Sequence, residues 1–120
     1  MSEFIRSLHE VFERFGRIDT RRMFGGHVLY HEGRMFALIS GDRLYLKVDG
    51  QTVAHFDRLQ LPHFEYQRKE KTMQMSYREA PAELYEDRDE AALWGRRAYQ
   101  AALRSEQKPK ARSTLSKGAR

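Results

Sequence analysis

The stretch that decides the fold runs from residue 27 to residue 48 and reads HVLYHEGRMFALISGDRLYLKV. Two short links, Glu32-Gly33 and Gly41-Asp42, divide it into three segments. Two-residue links of this kind close β-hairpins, the second being of the type that begins with glycine. Segments joined so tightly must be antiparallel neighbours. The stretch therefore predicts a three-stranded meander of residues 27–31, 34–40 and 43–48.

The alternation of side chains predicts which of these strands lies in the middle. In the third strand, Leu44, Leu46 and Val48 alternate with more polar residues, which predicts one face in contact with water. In the second strand both alternating sets are apolar, namely Met35, Ala37 and Ile39 on one side and Phe36 and Leu38 on the other. We expect the second strand to be central and covered on both faces.

The residues before the meander predict a helix and an extended segment. Apolar residues from Phe4 to Phe15 recur at helical spacing after Ser2, a plausible N-cap, and Gly16 suits the end of the helix. Residues 18–24 are expected to be extended, up to a sharp bend at Gly25-Gly26.

The residues after the meander predict a helix, a hairpin and a last helix. Residues 51–59 are expected to form a short helix with Val53, Phe56 and Leu59 on one side. Residues 64–68 and 71–78 read as a hairpin, the second strand having a clear period of two. A turn at 82–85 follows Pro81, and Asp87 or Asp89 caps a helix reaching about residue 103. Helices separated from antiparallel strands indicate an α+β fold.

Composition and charge restrict the class of protein. A chain of 120 residues suits one domain, and the absence of cysteine excludes disulfides and thiolate chemistry. No apolar run approaches the ~20 residues of a membrane span, and the N-terminus does not resemble a signal peptide. The expectation is a cytoplasmic protein without membrane contact.

The positive charge is concentrated at the C-terminus. Of the 22 Lys and Arg residues, six lie in residues 104–120 with one acid, so residues 1–103 hold 16 bases and 16 acids. We expect a folded domain over 1–103 and a basic, disordered tail over 104–120. The tail could contact nucleic acid or an acidic protein, or serve only as a solubilising terminus.

No constellation for catalysis, a cofactor or a metal ion is found in the sequence. His27 and His31 would lie about 13 Å apart along a strand, too far to share a metal ion. Asp87, Asp89 and Glu90 crowd a predicted helix start, where capping explains them. The sequence predicts a non-enzymatic protein.

Two groups of residues remain as candidates for binding. The candidate patch combines the Gly25-Gly26 bend and its neighbouring arginines with bases of the tail: Arg21, Arg22, Gly25, Gly26, Lys108, Lys110 and Arg112. The arginines could bind phosphate or an acid, or could pair structurally with Glu10, Glu13 or Asp19. The second group could line a hydrophobic groove for a partner or form core: Met23, Met35, Met73, Met75, Phe24, Phe36, Phe64 and Tyr66.

Several stretches together resemble the TfoX (Sxy) N-terminal domain family. They are Arg21-Arg22-Met23-Phe24-Gly25-Gly26, Leu29-Tyr30, residues 33–39 (GRMFALI), residues 44–49 (LYLKVD), Phe64-Glu65-Tyr66, Met75-Ser76-Tyr77 and residues 81–84. The resemblance covers about residues 4–103. It implies the fold α-β(3)-α-β(2)-α, which is similar to that of secretion chaperones and agrees with the order given by periodicity.

The resemblance also implies a function. It points to a regulatory or adaptor module linked to transcriptional control of competence, acting through protein contacts and without catalysis. A nucleic-acid-associated protein using the tail and a small-molecule-binding domain are the alternatives. Because secretion chaperones are dimeric, a homodimer is a further expectation by analogy of fold.

Overall fold

The computed structural model describes residues 3–23, 25–68 and 71–107. Its elements, in chain order, are α1 (Glu3–Val11), β1 (Asp19–Met23), β2 (Gly26–His31), β3 (Arg34–Ser40), β4 (Arg43–Lys47), α2 (Val53–Arg58), β5 (His63–Arg68), β6 (Lys71–Glu79), a 3₁₀ turn (Ala82–Tyr85) and α3 (Arg88–Gln107). The strands form one six-stranded antiparallel sheet in the order β1-β2-β3-β4-β6-β5. The predicted α+β class is confirmed.

The meander has four strands instead of the three predicted. The segment expected only to be extended pairs with β2, from Asp19 opposite Tyr30 to Met23 opposite Gly26. This strand, β1, is an edge strand whose residues are exposed or half-buried. Backbone hydrogen bonds to β2, rather than burial of alternate side chains, hold this strand to the sheet. Its sequence therefore shows little alternation of apolar and polar residues.

The two links predicted by the sequence, Glu32-Gly33 and Gly41-Asp42, have the same backbone conformation. The φ angles are positive at Glu32 (50°) and Gly33 (81°), and also at Gly41 (59°) and Asp42 (58°). Positive φ at both central residues is the pattern of a type I′ turn. The second link therefore differs from the glycine-first type predicted, because aspartate also tolerates the left-handed conformation.

Strand β3 is central and buried on both faces, as predicted, but its side chains do not alternate regularly. Leu29 of β2 lies opposite Ala37, whereas Tyr30 lies opposite Met35, so Phe36 is an extra residue in β3. This bulge brings Phe36 to the same face as Ala37 and Ile39 and leaves Met35 and Leu38 on the other.

The helices differ from their predicted bounds. Helix α1 ends at Val11, and turns continue to Gly16, whose N–H donates to Phe12 O. Helix α2 is shorter than predicted and leaves Leu59 45% exposed. Helix α3 begins after Asp87, whose Oδ1 accepts the N–H groups of Asp89 and Glu90, and it continues past the predicted end at Leu103 to Gln107.

The main core lies between one face of the sheet and the helices. Phe36 contacts the rings of Phe12 and Phe15, with centroids 5.8 and 5.1 Å away. Leu44 and Leu46 of β4 are fully buried in the same cluster. We call this side of the sheet the helical face. Each helix within the described ranges is too short or too polar to span a membrane.

Candidate interaction surfaces

The opposite side of the sheet carries a second apolar cluster, which we call the tyrosine face. In the described part of the chain its members all come from strands: Met23, Val28, Tyr30, Met35, Leu38, Tyr45, Phe64, Met75 and Tyr77. Val28, Leu38, Phe64 and Tyr77 are buried, while the others are half-buried. The neighbouring long side chains, rather than a helix, therefore shield the buried members from water.

Two cations lie against rings of the tyrosine face. The Arg21 guanidinium is 5.4 Å from the centroid of Tyr30, and Lys47 Nζ is 5.2 Å from that of Tyr77. Lys47 also donates to Ser76 Oγ at 2.9 Å. These distances are typical of cation–π contacts, which hold the charged groups at the surface of the cluster.

Burial on this face changes the protonation equilibria. It lowers the pKa of Lys47 and raises the pKa of Tyr77 to about 12. Burial is also the largest cause of the raised pKa of Tyr45. The Lys47 ammonium forms no ion pair with a described acid, although the charge of Asp49 partly opposes the lowering of its pKa.

The structure separates Arg21 and Arg22 of the candidate patch. Arg21 lies opposite Val28, a member of the tyrosine face, whereas Arg22 lies opposite His27. Because neighbouring residues of a strand point to opposite faces, the two arginines do not converge. Neither forms an ion pair with a described acid, and the patch as a binding site stays a prediction.

The bend of the candidate patch packs closely on the sheet. Gly25 has φ +75° and is exposed, whereas Gly26 lies so close to the carbonyl of Ile39 that a Cβ would clash with it. A structural requirement thus explains Gly26. Asp19 lies 3.7 Å from Arg17, and neither Arg21 nor Arg22 pairs with Glu10, Glu13 or Asp19 among the described ion pairs.

The tail residues of the candidate patch lie outside the described residues: Lys108, Lys110 and Arg112. Arg104, the first base of the predicted tail, belongs to α3. It donates from Nε to Asp49 Oδ2 at 2.6 Å and from a terminal nitrogen to Oδ1 at 3.1 Å. The hydrogen bond from Arg104 is the largest cause of the lowered pKa of Asp49. The division at residue 104 stays a prediction.

The methionine and aromatic group predicted as groove or core is divided between the two faces. Phe36 belongs to the helical face, whereas Met23, Met35, Met75 and Phe64 belong to the tyrosine face. Phe24 and the side chains of Tyr66 and Met73 lie outside what the structure describes. The core interpretation holds for Phe36 and Phe64, which are buried, whereas a groove for a partner stays a prediction.

A cleft of about 410 Å³ lies between β4, α2 and β6. The Arg78 side chain in its wall is 7% exposed and already occupied, because Nε donates to Leu61 O at 2.8 Å and a terminal nitrogen lies 3.0 Å from Asp57. Arg78 therefore fastens α2 to the sheet. Within residues 3–23, 25–68 and 71–107, no group of three His, Asp or Glu is arranged to hold a metal ion.

Sequence reasoning did not single out Lys47, Tyr45, Tyr77 or Arg78. The alternation within β4 puts Tyr45 and Lys47 on one face, which was visible in the sequence. That Tyr77 lies opposite Lys47 depends on the pairing of β4 with β6, which are separated by α2 and β5. Only the tertiary structure gives that register.

Comparison with known proteins identifies the family. The model of the TfoX N-terminal domain matches residues 10–102. The DNA transformation protein TfoX1 of Aliivibrio fischeri (strain ATCC 700601 / ES114) is 30% identical over 93 residues, which cover 78% of this chain and 44% of the relative. The matched segment thus spans less than half of that relative. The chain belongs to the TfoX N-terminal domain family.

Proposed function

We propose that this domain is a non-catalytic regulatory module of competence that holds a partner protein on its tyrosine face. Membership of the family and the name of the relative, a DNA transformation protein, support the link to competence. Transcriptional control through this contact is the finer form of the proposal, and the cytoplasm is the proposed location.

The observation that carries the proposal is an apolar sheet face to which no described helix contributes. Methionine and tyrosine predominate there, and both suit adaptable protein contacts. Arg21 and Lys47 add positive charge over two of the rings. By charge complementarity, the partner is a segment with apolar side chains and at least one carboxylate.

The arrangement of the rings favours a protein over a single-stranded nucleic acid. Stacking of bases requires ring faces that are open to solvent. Here Arg21 covers Tyr30, and the Tyr45 ring meets Phe64 edge-on at 5.0 Å.

Neither alternative function is favoured on this face. The cleft beside α2 has mostly apolar walls, and its buried guanidinium is already paired, so it offers few convergent polar groups to a small molecule. Binding of nucleic acid through Lys108, Lys110 and Arg112 stays a prediction.

The test compares Met35→Glu, which puts an acid on the tyrosine face, with Ser7→Glu, the same charge change on the exposed side of α1. Each variant replaces the natural copy in the bacterium that encodes the chain. We expect M35E to reduce the transformation frequency by about 10-fold or more, the effect of losing one important interface residue. S7E should retain wild-type frequency.

Immunoblots and thermal melts show whether both variants are present and folded. Wild-type frequency in a strain lacking the gene would disprove the link to competence. Wild-type frequency with M35E, in a strain that depends on the gene, would disprove docking on the tyrosine face.

A further inference from the structure

A groove between α2 and α3 is lined by several basic and amide side chains, and it lies apart from the tyrosine face. Its volume is about 370 Å³. The basic and amide side chains that line it are Gln51, His55, Arg96, Arg97, Gln100 and Arg104. No acidic residue lines it, although the domain as a whole is nearly balanced in charge.

The spacing along the helices explains how these residues come together. Arg96, Gln100 and Arg104 are four residues apart on α3, so they form one stripe about 12 Å long at 1.5 Å per residue. Across the groove lies His55 of α2, and Arg58, which does not itself line the groove, follows three residues later on the same side of that helix.

The groove retains positive charge because no acidic residue lines it and the nearby Asp49 forms its ion pair with Arg104. Arg104 is neutralised by Asp49. Arg58, Arg96 and Arg97 form no ion pair with any acid in the described ranges. Burial, and then the charges of Arg97 and Arg58, lower the pKa of His55, so both cations are close enough to act on one ring.

We propose that the α2–α3 groove binds the phosphate backbone of double-stranded DNA. Guanidinium groups match phosphate oxygens in shape and charge, and the amides of Gln51 and Gln100 add neutral donors. Such contacts fix a duplex in place without reading its sequence.

The polar character of the groove favours DNA over an acidic protein. Protein interfaces normally bury a central apolar or aromatic anchor. Here Trp94 is 4% exposed and lies beneath the Arg97 guanidinium, 5.0 Å from its ring centroid. Because Arg97 covers the Trp94 ring, that ring is not open for stacking with the bases of a single-stranded nucleic acid.

The bases that follow α3 lie outside the described residues, so the full chain is the form to test.

The test measures binding of the full chain to a fluorescein-labelled 30-base-pair DNA duplex by anisotropy. The double variant Arg96→Gln/Arg97→Gln removes two groove cations, whereas Arg6→Gln/Arg17→Gln removes the same charge from exposed positions outside the groove and the candidate patch. At 50 mM NaCl we expect the groove variant to bind about 10-fold more weakly or worse. Its slope of log affinity against log salt should be shallower by about 2, since each phosphate contact contributes about 0.9.

Three further measurements complete the test. Arg96→Lys/Arg97→Lys keeps the charge and should bind within about 3-fold of wild type, which separates charge from folding. The control variant should also bind nearly as wild type. Equal losses in the groove and control variants would show that bulk charge governs binding and would overturn the proposal.

Two other outcomes would also overturn it. One is the absence of DNA binding by the wild-type chain at 50 mM NaCl. The other is displacement of the duplex by poly-glutamate at a lower concentration of charge than by unlabelled DNA, because the groove would then prefer an acidic protein.

Discussion

The two faces of the sheet are built from similar residues but are closed in different ways. On the helical face, rings from α1 and its following turn meet Phe36, and α3 covers β3 and β4. On the tyrosine face, strand side chains cover one another and leave Tyr30, Met35 and Tyr45 half-buried. The first arrangement buries Phe12 and Phe36 fully, whereas the second leaves part of its apolar side chains at the surface.

The largest expected effect compares the same substitution on both faces. Leu46 of the helical face is fully buried and Leu38 of the tyrosine face is 3% exposed. We expect Leu46→Ala to lower the free energy of unfolding by about 3–4 kcal/mol, because helices and sheet cannot collapse into the cavity. Leu38→Ala should lower the free energy of unfolding by about 2 kcal/mol, because half-buried methionine and tyrosine side chains can shift into the cavity that the substitution leaves. Urea unfolding measures both, and equal costs would show that the faces are equally rigid.

The next effect compares a buried arginine of the helical face with an exposed arginine at the start of β4. Arg78 is buried over Phe56 and donates to Leu61 O, while Arg43 is 63% exposed and lies 3.2 Å from Glu79. We expect Arg78→Ala to cost about 2–3 kcal/mol, as hydrogen bonds to charged groups suggest. Arg43→Ala should cost at most about 1 kcal/mol. Urea unfolding measures the free energy of unfolding of both variants. Similar losses in the two variants would contradict the role of Arg78 in fastening α2.

A smaller effect concerns Asp49, which joins α3 to the end of β4. Its pKa in the folded state lies below the ordinary value of 3.8, so its ion pair stabilises the fold above that value. The stabilisation is lost as the pH falls through the folded pKa. We expect Asp49→Asn to cost about 1–2 kcal/mol at pH 7. The difference in melting temperature from wild type should shrink below about pH 4, and a constant difference from pH 7 to 3 would disprove the ion pair's role.

The smallest expected effect on stability is at Lys47 of the tyrosine face. Burial lowers its pKa, so the charged form is disfavoured in the folded state at neutral pH and this penalty disappears at high pH. We expect Lys47→Met to change the free energy of unfolding by about 0.5 kcal/mol or less at pH 7. The same variant should lower the transformation frequency if the partner carries a carboxylate. A large loss of stability would assign Lys47 to the core instead.

Part of the candidate surface could be predicted from the sequence and part could not. The meander, the hairpin and the capping by Asp87 depend on local spacing, which a sequence contains directly. The exact helix ends at Val11 and Gln107 were missed because packing and ion pairs such as Arg34–Glu106 extend or shorten helices beyond their propensities. Strand β1 was missed as a strand because edge pairing leaves little apolar alternation.

By itself, the sequence determined the α+β class, the central place of β3 and the family, because each follows from the order and period of neighbouring residues. Only the tertiary structure decided that Arg21 and Arg22 face apart, that Lys47 meets Tyr77, and that α2 and α3 bring uncompensated arginines together within a nearly neutral domain. The physical reason is that surfaces and charge clusters depend on contacts between residues far apart in the chain, whereas secondary structure depends mainly on near ones.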